Sequence, residues 1–287
     1  MLRTASAFIA LVVAAAVPAD SASAQATGGR LKTIAGSKTI KIAHRSDAMP
    51  FSYVENKEVI GYTIDICKAV VASLEKQLKV QPLKVEWVPV TTQTRFDAVT
   101  SGKADLECGS STVTLSRMKQ VDFSNYVFVE STGLVVKSTD GSAKLQDISG
   151  KKVAVIAGTS NEKAMAAVNQ KAQLNVTLVP VKDRDEAVMA LDSGKADAFA
   201  SDKLLLVGTQ FKDMQSVRML PDDLSVEPYA IALPRGDWEL RLAVNTALAE
   251  LYRSGEVLKI FNQWFGRIGL RPGLLLGSAY TLGALPE

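Results

Sequence analysis

One five-residue string occurs twice in this 287-residue chain, as Ser101-Gly102-Lys103-Ala104-Asp105 and as Ser193-Gly194-Lys195-Ala196-Asp197. Each copy follows a short helical pattern and precedes a short apolar run, in DAVTSGKADLECGS and in AVMALDSGKADAFASD. A glycine just past the last periodic residue stops a helix, because only glycine enters the left-handed conformation without cost. Both copies therefore read as helix, turn, strand. The shared context predicts two lobes of related α/β construction.

The flanking pattern supports this. Thr39–Ala43 alternates as a strand does, and Gly61 opens an amphipathic helix running to about Lys79. Leu83–Val90 reads as a strand, Arg95–Thr100 as a helix and Ala104–Cys108 as a short strand. A second run begins with a strand at Lys151–Ile156. It continues with a helix near Glu162–Val168, a strand near Val176–Val179 and a helix near Arg184–Leu191. Strand and helix in alternation imply a mainly parallel sheet covered by helices. Tyr229–Leu233 reads as a further strand. Asp237 then caps a helix whose Leu240, Val244, Ala247, Leu248 and Leu251 form one stripe, and Glu256–Phe265 follows the break at Ser254-Gly255. The chain is expected to cross into the second lobe near Val129–Lys137 and to return near Val226–Leu233. Two crossings make a two-stranded hinge. The expected division is residues 36–133 plus 228–270, residues 134–227, and a tail from 271 to 287.

The first 24 residues read as an export leader. Arg3 precedes the apolar Ala7–Val17, and Ala22-Ser23-Ala24 fits a cleavage site before Gln25. No later stretch is long and apolar enough to span a membrane, and Gly273, Gly277 and Gly283 make the uncharged tail a poor spanning helix. In an oxidising compartment Cys67 and Cys108 are able to pair, yet Cys67 shares an apolar face with Ile64, Val70, Val71, Leu74 and Leu78 and reads equally as core. A net charge of +3, without a dense basic tract, gives no sign of nucleic acid. A single histidine, His44, argues against a His-rich metal site or a Ser-His-Asp triad.

Three strand ends carry residues that pure structure does not require. Gly109-Ser110-Ser111-Thr112 leads to Arg117, Gly158-Thr159-Ser160 lies at a strand-to-helix turn, and Asp202 follows the second repeat's strand. Ligands of open α/β sheets bind outside the carboxyl ends of the strands. A helix N-terminus offers N–H donors to an anion, and arginine clamps a carboxylate through two parallel hydrogen bonds. Taken alone, each hydroxyl cluster is equally a helix cap and Arg117 a surface ion pair. Together, an arginine with hydroxyls on one side and a carboxylate on the other describe a site for a zwitterion.

These runs, with His44-Arg45-Ser46, Pro50-Phe51-Ser52-Tyr53, Glu107-Cys108-Gly109-Ser110, Phe123-Ser124, Lys182-Asp183 and the Tyr229 strand, make the chain similar to the periplasmic amino-acid-binding proteins of ABC importers. The likeness is to extracellular solute-binding protein family 3, and within it to the glutamate/aspartate binders. It spans about Lys38 to Phe265. It implies a two-lobed periplasmic-binding-protein fold of type II. Arg117 matches the arginine on the ligand α-carboxylate, helped by Thr112 and Ser160. Ser110, Thr112 and Asp202 match the groups that receive the α-ammonium. Arg45, Thr92 and Arg95 match the positions that hold the side-chain carboxylate. The chain departs from the pattern at Arg184, where the acidic-amino-acid binders carry histidine.

Arg117 and Asp202 already balance a neutral amino acid. Arg45, Arg95 and Arg184 then add cations to a cleft that excludes water, which is costly unless the ligand brings an anion. Alternative partners are Asp47, Glu55 and Asp97 for Arg45 and Arg95, and the flanking Asp183 and Asp185 for Arg184. The resemblance implies a periplasmic monomer that captures L-glutamate or L-aspartate and delivers it to a membrane permease, without cofactor, metal or covalent chemistry. The rival expectations are a binder of another polar amino acid or dicarboxylate, a sensor subunit, and a dehydratase using Glu107 or Asp202 as acid or base. His44 reads as a structural imidazole.

Overall fold

A computed structural model of the protein describes residues 29–209 and 214–286, so the expected leader lies outside the described residues. Helix α1 (Arg30–Ser37), which the sequence pattern does not announce, seats Ile34 in the core ahead of β1 (Thr39–Arg45). A small antiparallel sheet of β2 (Asp47–Ala48), β3 (Ser52–Glu55) and β4 (Glu58–Ile60) leads to α2 (Tyr62–Leu78). Gly61 starts α2 with φ 139°, and a Cβ there would lie 2.2 Å from the Phe51 carbonyl oxygen, so this turn admits only glycine. The apolar face of α2 buries Ile64, Cys67, Val70, Val71 and Leu74 as its spacing predicts. Then follow β5 (Lys84–Val90), α3 (Arg95–Thr100), β6 (Leu106–Glu107) and β7 (Val121–Glu130).

The second lobe is built from β8 (Thr132–Lys137), β9 (Lys152–Ile156), α4 (Ser160–Ala172), β10 (Thr177–Val181), α5 (Arg184–Ser193), β11 (Ala198–Asp202), α6 (Lys203–Val207) and β12 (Val217–Met219). The chain returns through β13 (Glu227–Pro234) to α7 (Trp238–Arg253), α8 (Glu256–Phe265) and α9 (Leu274–Gly283). Sheet order is β5-β1-β6-β13-β7 in one lobe and β10-β9-β11-β8-β12 in the other. Each sheet has three parallel strands, while the strands that cross between lobes run antiparallel to their neighbours. The sheets are therefore mixed where the alternating pattern suggested mainly parallel ones.

The repeated pentapeptide has one structural job in both lobes. Gly102 and Gly194 take φ 76° and 77° to end α3 and α5. Ala104 N–H then donates to the Ala98 carbonyl at 2.8 Å, and Ala196 N–H to the Ala190 carbonyl at 2.9 Å. Asp105 Oδ2 accepts from the Lys41 N–H at 2.8 Å, as Asp197 Oδ2 does from the Lys152 N–H at 2.8 Å. The aspartate pins the turn to the neighbouring strand, so β6 and β11 take the same place in their sheets.

The main core gathers α2, β13, α7 and α8, and two smaller clusters cover the faces of the second sheet. Residues 274–283 are no loose tail. Helix α9 buries Leu276 and Tyr280, and the Tyr280 hydroxyl meets that of Tyr62, which donates to the Val127 carbonyl at 2.9 Å. No helix among the described residues is long and apolar enough to cross a membrane.

Cys67 and Cys108 are both fully buried and joined as a disulfide, with Cα atoms 6.4 Å apart. The two readings of Cys67 thus hold together: it is core and it is bridged. The bridge closes a loop of 41 residues. Replacing both cysteines with alanine is expected to lower stability by about 4 kcal/mol on the chain-entropy argument. Urea unfolding of the variant against the oxidised wild-type protein measures this, and an equal stability of the two would contradict it.

Candidate ligand-binding site

The ends of β1, β5, β6, β9 and β11 meet where the lobes face each other. Arg45 is the last residue of β1, Thr92 follows β5, and Arg95 opens α3. Ser110 and Thr112 follow β6 on a segment fastened to β13, with Val113 N–H donating to the Pro228 carbonyl at 2.8 Å. From the other lobe, Thr159 caps α4 by accepting from the Glu162 N–H at 3.1 Å, which places Ser160 in the first turn. Asp183 caps α5 in the same way through the Glu186 N–H at 2.9 Å and sets Arg184 at its start. Asp202 ends β11.

Arg45, Thr92, Arg95, Ser110, Thr112, Ser160, Arg184 and Asp202 all line one cavity, joined there by Thr159, Asn161, Ser201, Ile156 and Leu205. The cavity holds about 20 Å³, room for a single water. A larger chamber of about 280 Å³ lies outside it and shares Arg45, Thr92 and Arg184 as its inner wall. The lobes touch through polar contacts: Ser160 Oγ to Thr112 Oγ1 at 3.1 Å, Gln93 Nε2 to the Lys182 carbonyl at 2.8 Å, and Arg184 Nη1 to the Asp47 carbonyl at 3.1 Å. Gly208 packs so close to Met49 that a Cβ would meet the Met49 carbonyl oxygen at 2.2 Å.

Arg117 differs from the other eight. It is not among the cavity's lining residues. Its Nη1 donates to the Thr112 carbonyl at 2.7 Å, and its guanidinium lies 5.3 Å from the centre of the Phe96 ring. Arg95 covers the same ring at 4.9 Å.

The cations are better compensated than a motif count suggests. Arg45 is 4% exposed, and its Nη2 sits 2.6 Å from Asp47 Oδ1. Asp47 is shared with Arg184, whose Nη1 lies 3.9 Å from Oδ2. Arg184 is therefore a buried cleft residue held from the opposite lobe, and its flanking aspartates do not pair with it within 4.0 Å among the described residues. Arg95 has no carboxylate within that distance among the described residues, and burial, then Arg117, lowers its pKa to about 9. Glu107 lies in its field, fully buried, with the Ser111 side chain beside it. Gly109 packs closely beside it: a Cβ there would come within 2.3 Å of Glu107 Oε1 and force that carboxyl to shift. Burial, then Glu227, raises the Asp202 carboxyl to about 6.

Asn161, Thr132, Glu227 and Ser201 were not singled out in the sequence. Asn161 was the most accessible of these, being the next residue of a helix turn already marked for its N–H donors. Glu227 and Thr132 gave no signal, since a lone acid or threonine at a strand start is ordinary. His44 is buried, its Nδ1 3.1 Å from the Arg45 carbonyl and its ring edge-on to Trp87. Among the described residues no group of three or more His, Cys, Asp or Glu side chains is placed to hold a metal ion.

The family model of bacterial extracellular solute-binding proteins, family 3, matches residues 40–267. The L-glutamate/L-aspartate-binding protein of Pseudomonas aeruginosa is 36% identical over 273 residues, covering 92% of this chain and 89% of that protein. The glutamate/aspartate import solute-binding protein of Escherichia coli K12 is 32% identical over 266 residues, with 92% and 88% covered. The crystal structure of an ancestral amino-acid-binding protein, a precursor of cyclohexadienyl dehydratase, superposes with a TM-score of 0.70 at 28% identity, over 82% of this chain and 99% of that one. With two like-built lobes meeting over a polar cleft, and the model matched through both of them, the chain belongs to the bacterial extracellular solute-binding proteins of family 3.

Proposed function

We propose that this protein is the periplasmic component of an ABC importer, capturing L-glutamate or L-aspartate between its lobes and presenting it to a membrane permease. The observation that carries the reading is Arg95: a buried guanidinium in the cleft with no carboxylate of its own within ion-pair distance among the described residues. Glu107 opposes it only through its field, and a ligand side-chain carboxylate at contact distance adds the pairing that the protein lacks. Relatives named as glutamate/aspartate binders support the same ligand.

In this reading Arg45, Thr92 and Arg95 receive the side-chain carboxylate, and Asp202 with Ser110 and Thr112 receives the ammonium. Arg117 turns its remaining N–H groups to the α-carboxylate beside Ser160. The lobe expected at 36–133 with 228–270 also takes in α1 and α9, and the other lobe begins with β8 at Thr132. A cavity of about 20 Å³ cannot admit an amino acid, so the lobes part to let it enter and close over it. The ligand favours the closed form because it contacts both lobes at once. The exported chain works as a monomer, and the ligand leaves chemically unchanged, although the fold has also served a dehydratase lineage.

Titration calorimetry on protein refolded free of ligand tests this. Arg95→Met is expected to weaken glutamate binding on the order of 100-fold while leaving glutamine far less affected. Arg117→Ala is expected to abolish binding of both. Equal losses for glutamate and glutamine in Arg95→Met would remove the acidic-ligand assignment, and an unchanged affinity in Arg117→Ala would remove that of the α-carboxylate.

The raised Asp202 carboxyl gives a pH dependence with a definite sign. The ammonium binds the ionised form, so below about pH 6 capture must first expel a proton. Affinity should be flat from pH 7 to 8 and fall by about tenfold per unit once well below pH 6. In the unliganded protein the same group works the other way. Its folded pKa exceeds the unfolded value, so folding stability declines as pH rises from about 4 to 6. An affinity independent of pH between 5 and 7 would show that Asp202 does not receive the ammonium.

A further inference from the structure

Three buried side chains, Asn161, Thr132 and Glu227, and the half-buried Ser225 tie Asp202 to both hinge crossings. Asn161 Nδ2 donates to Asp202 Oδ1 at 3.0 Å and to Thr132 Oγ1 at 2.8 Å. Thr132 opens β8, the outgoing crossing. Its hydroxyl lies 3.2 Å from Glu227 Oε1 and 2.7 Å from the Ser225 hydroxyl, which donates to the same Glu227 oxygen at 2.6 Å. Glu227 opens β13, the returning crossing, and pairs in register with Glu130 at the end of β7. Thr132, Asn161, Asp202 and Glu227 are each no more than 5% exposed.

Glu227 is anchored by one oxygen only. Its Oε2 is buried and has no hydrogen-bond partner among the described residues. The charged and titratable groups facing it come from every side. Asp202 stands on β11, Glu130 opposite on β7, Tyr229 farther along β13, and Arg117 on the segment after β6. Glu227 is the foremost anion acting on Arg117 and the foremost acting on Asp202. It thus lies in the field of both groups to which the amino-acid reading assigns the ligand's backbone ends. A structural carboxylate needs neither an unmet buried oxygen nor a like charge as neighbour, and both are costly unless a cation arrives.

We propose that Glu227 is a positioning residue for the ligand ammonium, adding its charge to that of Asp202 and linking capture to the closed arrangement of the two hinge strands. It acts through Asp202 and Arg117 without touching the ligand. The inference rests on the amino-acid-binding reading above but not on the identity of the side chain, since every α-amino acid brings the ammonium.

The test is Glu227→Gln, which keeps an oxygen for Thr132 and Ser225 and removes the charge. Calorimetry with L-glutamate and L-glutamine from pH 5 to 8 is expected to show affinity for both lowered about tenfold at pH 7.5. The midpoint of the pH profile should move down by about one unit, as expected when a neighbouring like charge is lost. An amide that serves only as a hydrogen-bond partner would leave the midpoint in place, and that result overturns the proposal. If the variant does not fold, side-chain carboxyl ¹³C titration of the wild-type protein decides. Glu227 ionised at pH 7.5 with the Asp202 midpoint lowered by ligand supports the role, and Glu227 protonated across pH 5 to 8 refutes it. Binding of glutamine but not glutamate would fail the acidic-ligand reading alone. Binding of no amino acid would overturn both.

Discussion

Guanidinium groups taken out of water between two lobes are the constraint on which the rest of this structure depends. Arg45, Arg95 and Arg184 are each no more than 6% exposed, and each leaves its Nε without a hydrogen-bond partner among the described residues. Arg184 starts a helix of the second lobe and finds its acceptor on Asp47 of the first, 137 residues away in sequence. Removing such charges from water costs several kcal/mol apiece unless partners replace the lost hydration. The sheets therefore bring acids to the same edge, Asp47 and Glu107 from one lobe and Asp202 from the other. Across the cleft the lobes meet through polar contacts and also where Leu205 enters the main core and Gly208 lies against Met49.

That cleft needs a rigid frame behind it. The disulfide joins α2 to Cys108, one residue before the Gly109-Ser110 turn that forms the cavity wall. Glu107 is held against Gly109 by this same short segment. On the far side, α9 packs along β7, and the Tyr62–Tyr280 hydroxyl pair fixes the Val127 carbonyl. Strand β7 is therefore anchored to within a few residues of its end at Glu130. Bending between lobes is left to the short stretches around Ser131 and Val226, and the Thr132–Ser225–Glu227 cluster joins those stretches side by side.

Much of the lobe plan was legible because local signals and the fold agree. The pentapeptide predicts β6 and β11 correctly since its glycine and aspartate each perform a local task, ending a helix and capping a neighbouring strand. Eight of the nine site residues lie on one cavity because strand ends and helix starts, which can be read from sequence, are where this architecture places ligands. What stayed hidden depends on distant partners. The pairing of Cys67 with Cys108 needs a Cα separation, not a spacing. Helix α9 is uncharged nearly throughout, so no polar face marks its period, and only the main core accounts for it. Helix α1 is short and weakly patterned, and its place follows from Ile34 meeting α7.

The charge argument shows most clearly where residue counting fails. Read along the chain, Arg184 adds a third cation for one ligand carboxylate, and its neighbours Asp183 and Asp185 look like its natural partners. In the fold, Asp183 is spent on capping α5, and Arg184 turns inward to Asp47, which also pairs with Arg45. One aspartate thus sits between two arginines from opposite lobes, which gives the cleft a contact across it and still leaves one positive charge in excess. Among the cavity-lining arginines, Arg95 is the one with no carboxylate within 4.0 Å among the described residues. If the ligand is acidic, as proposed, Arg95 is the cleft arginine best placed to recognise its side chain, while Arg184 reaches across to the other lobe.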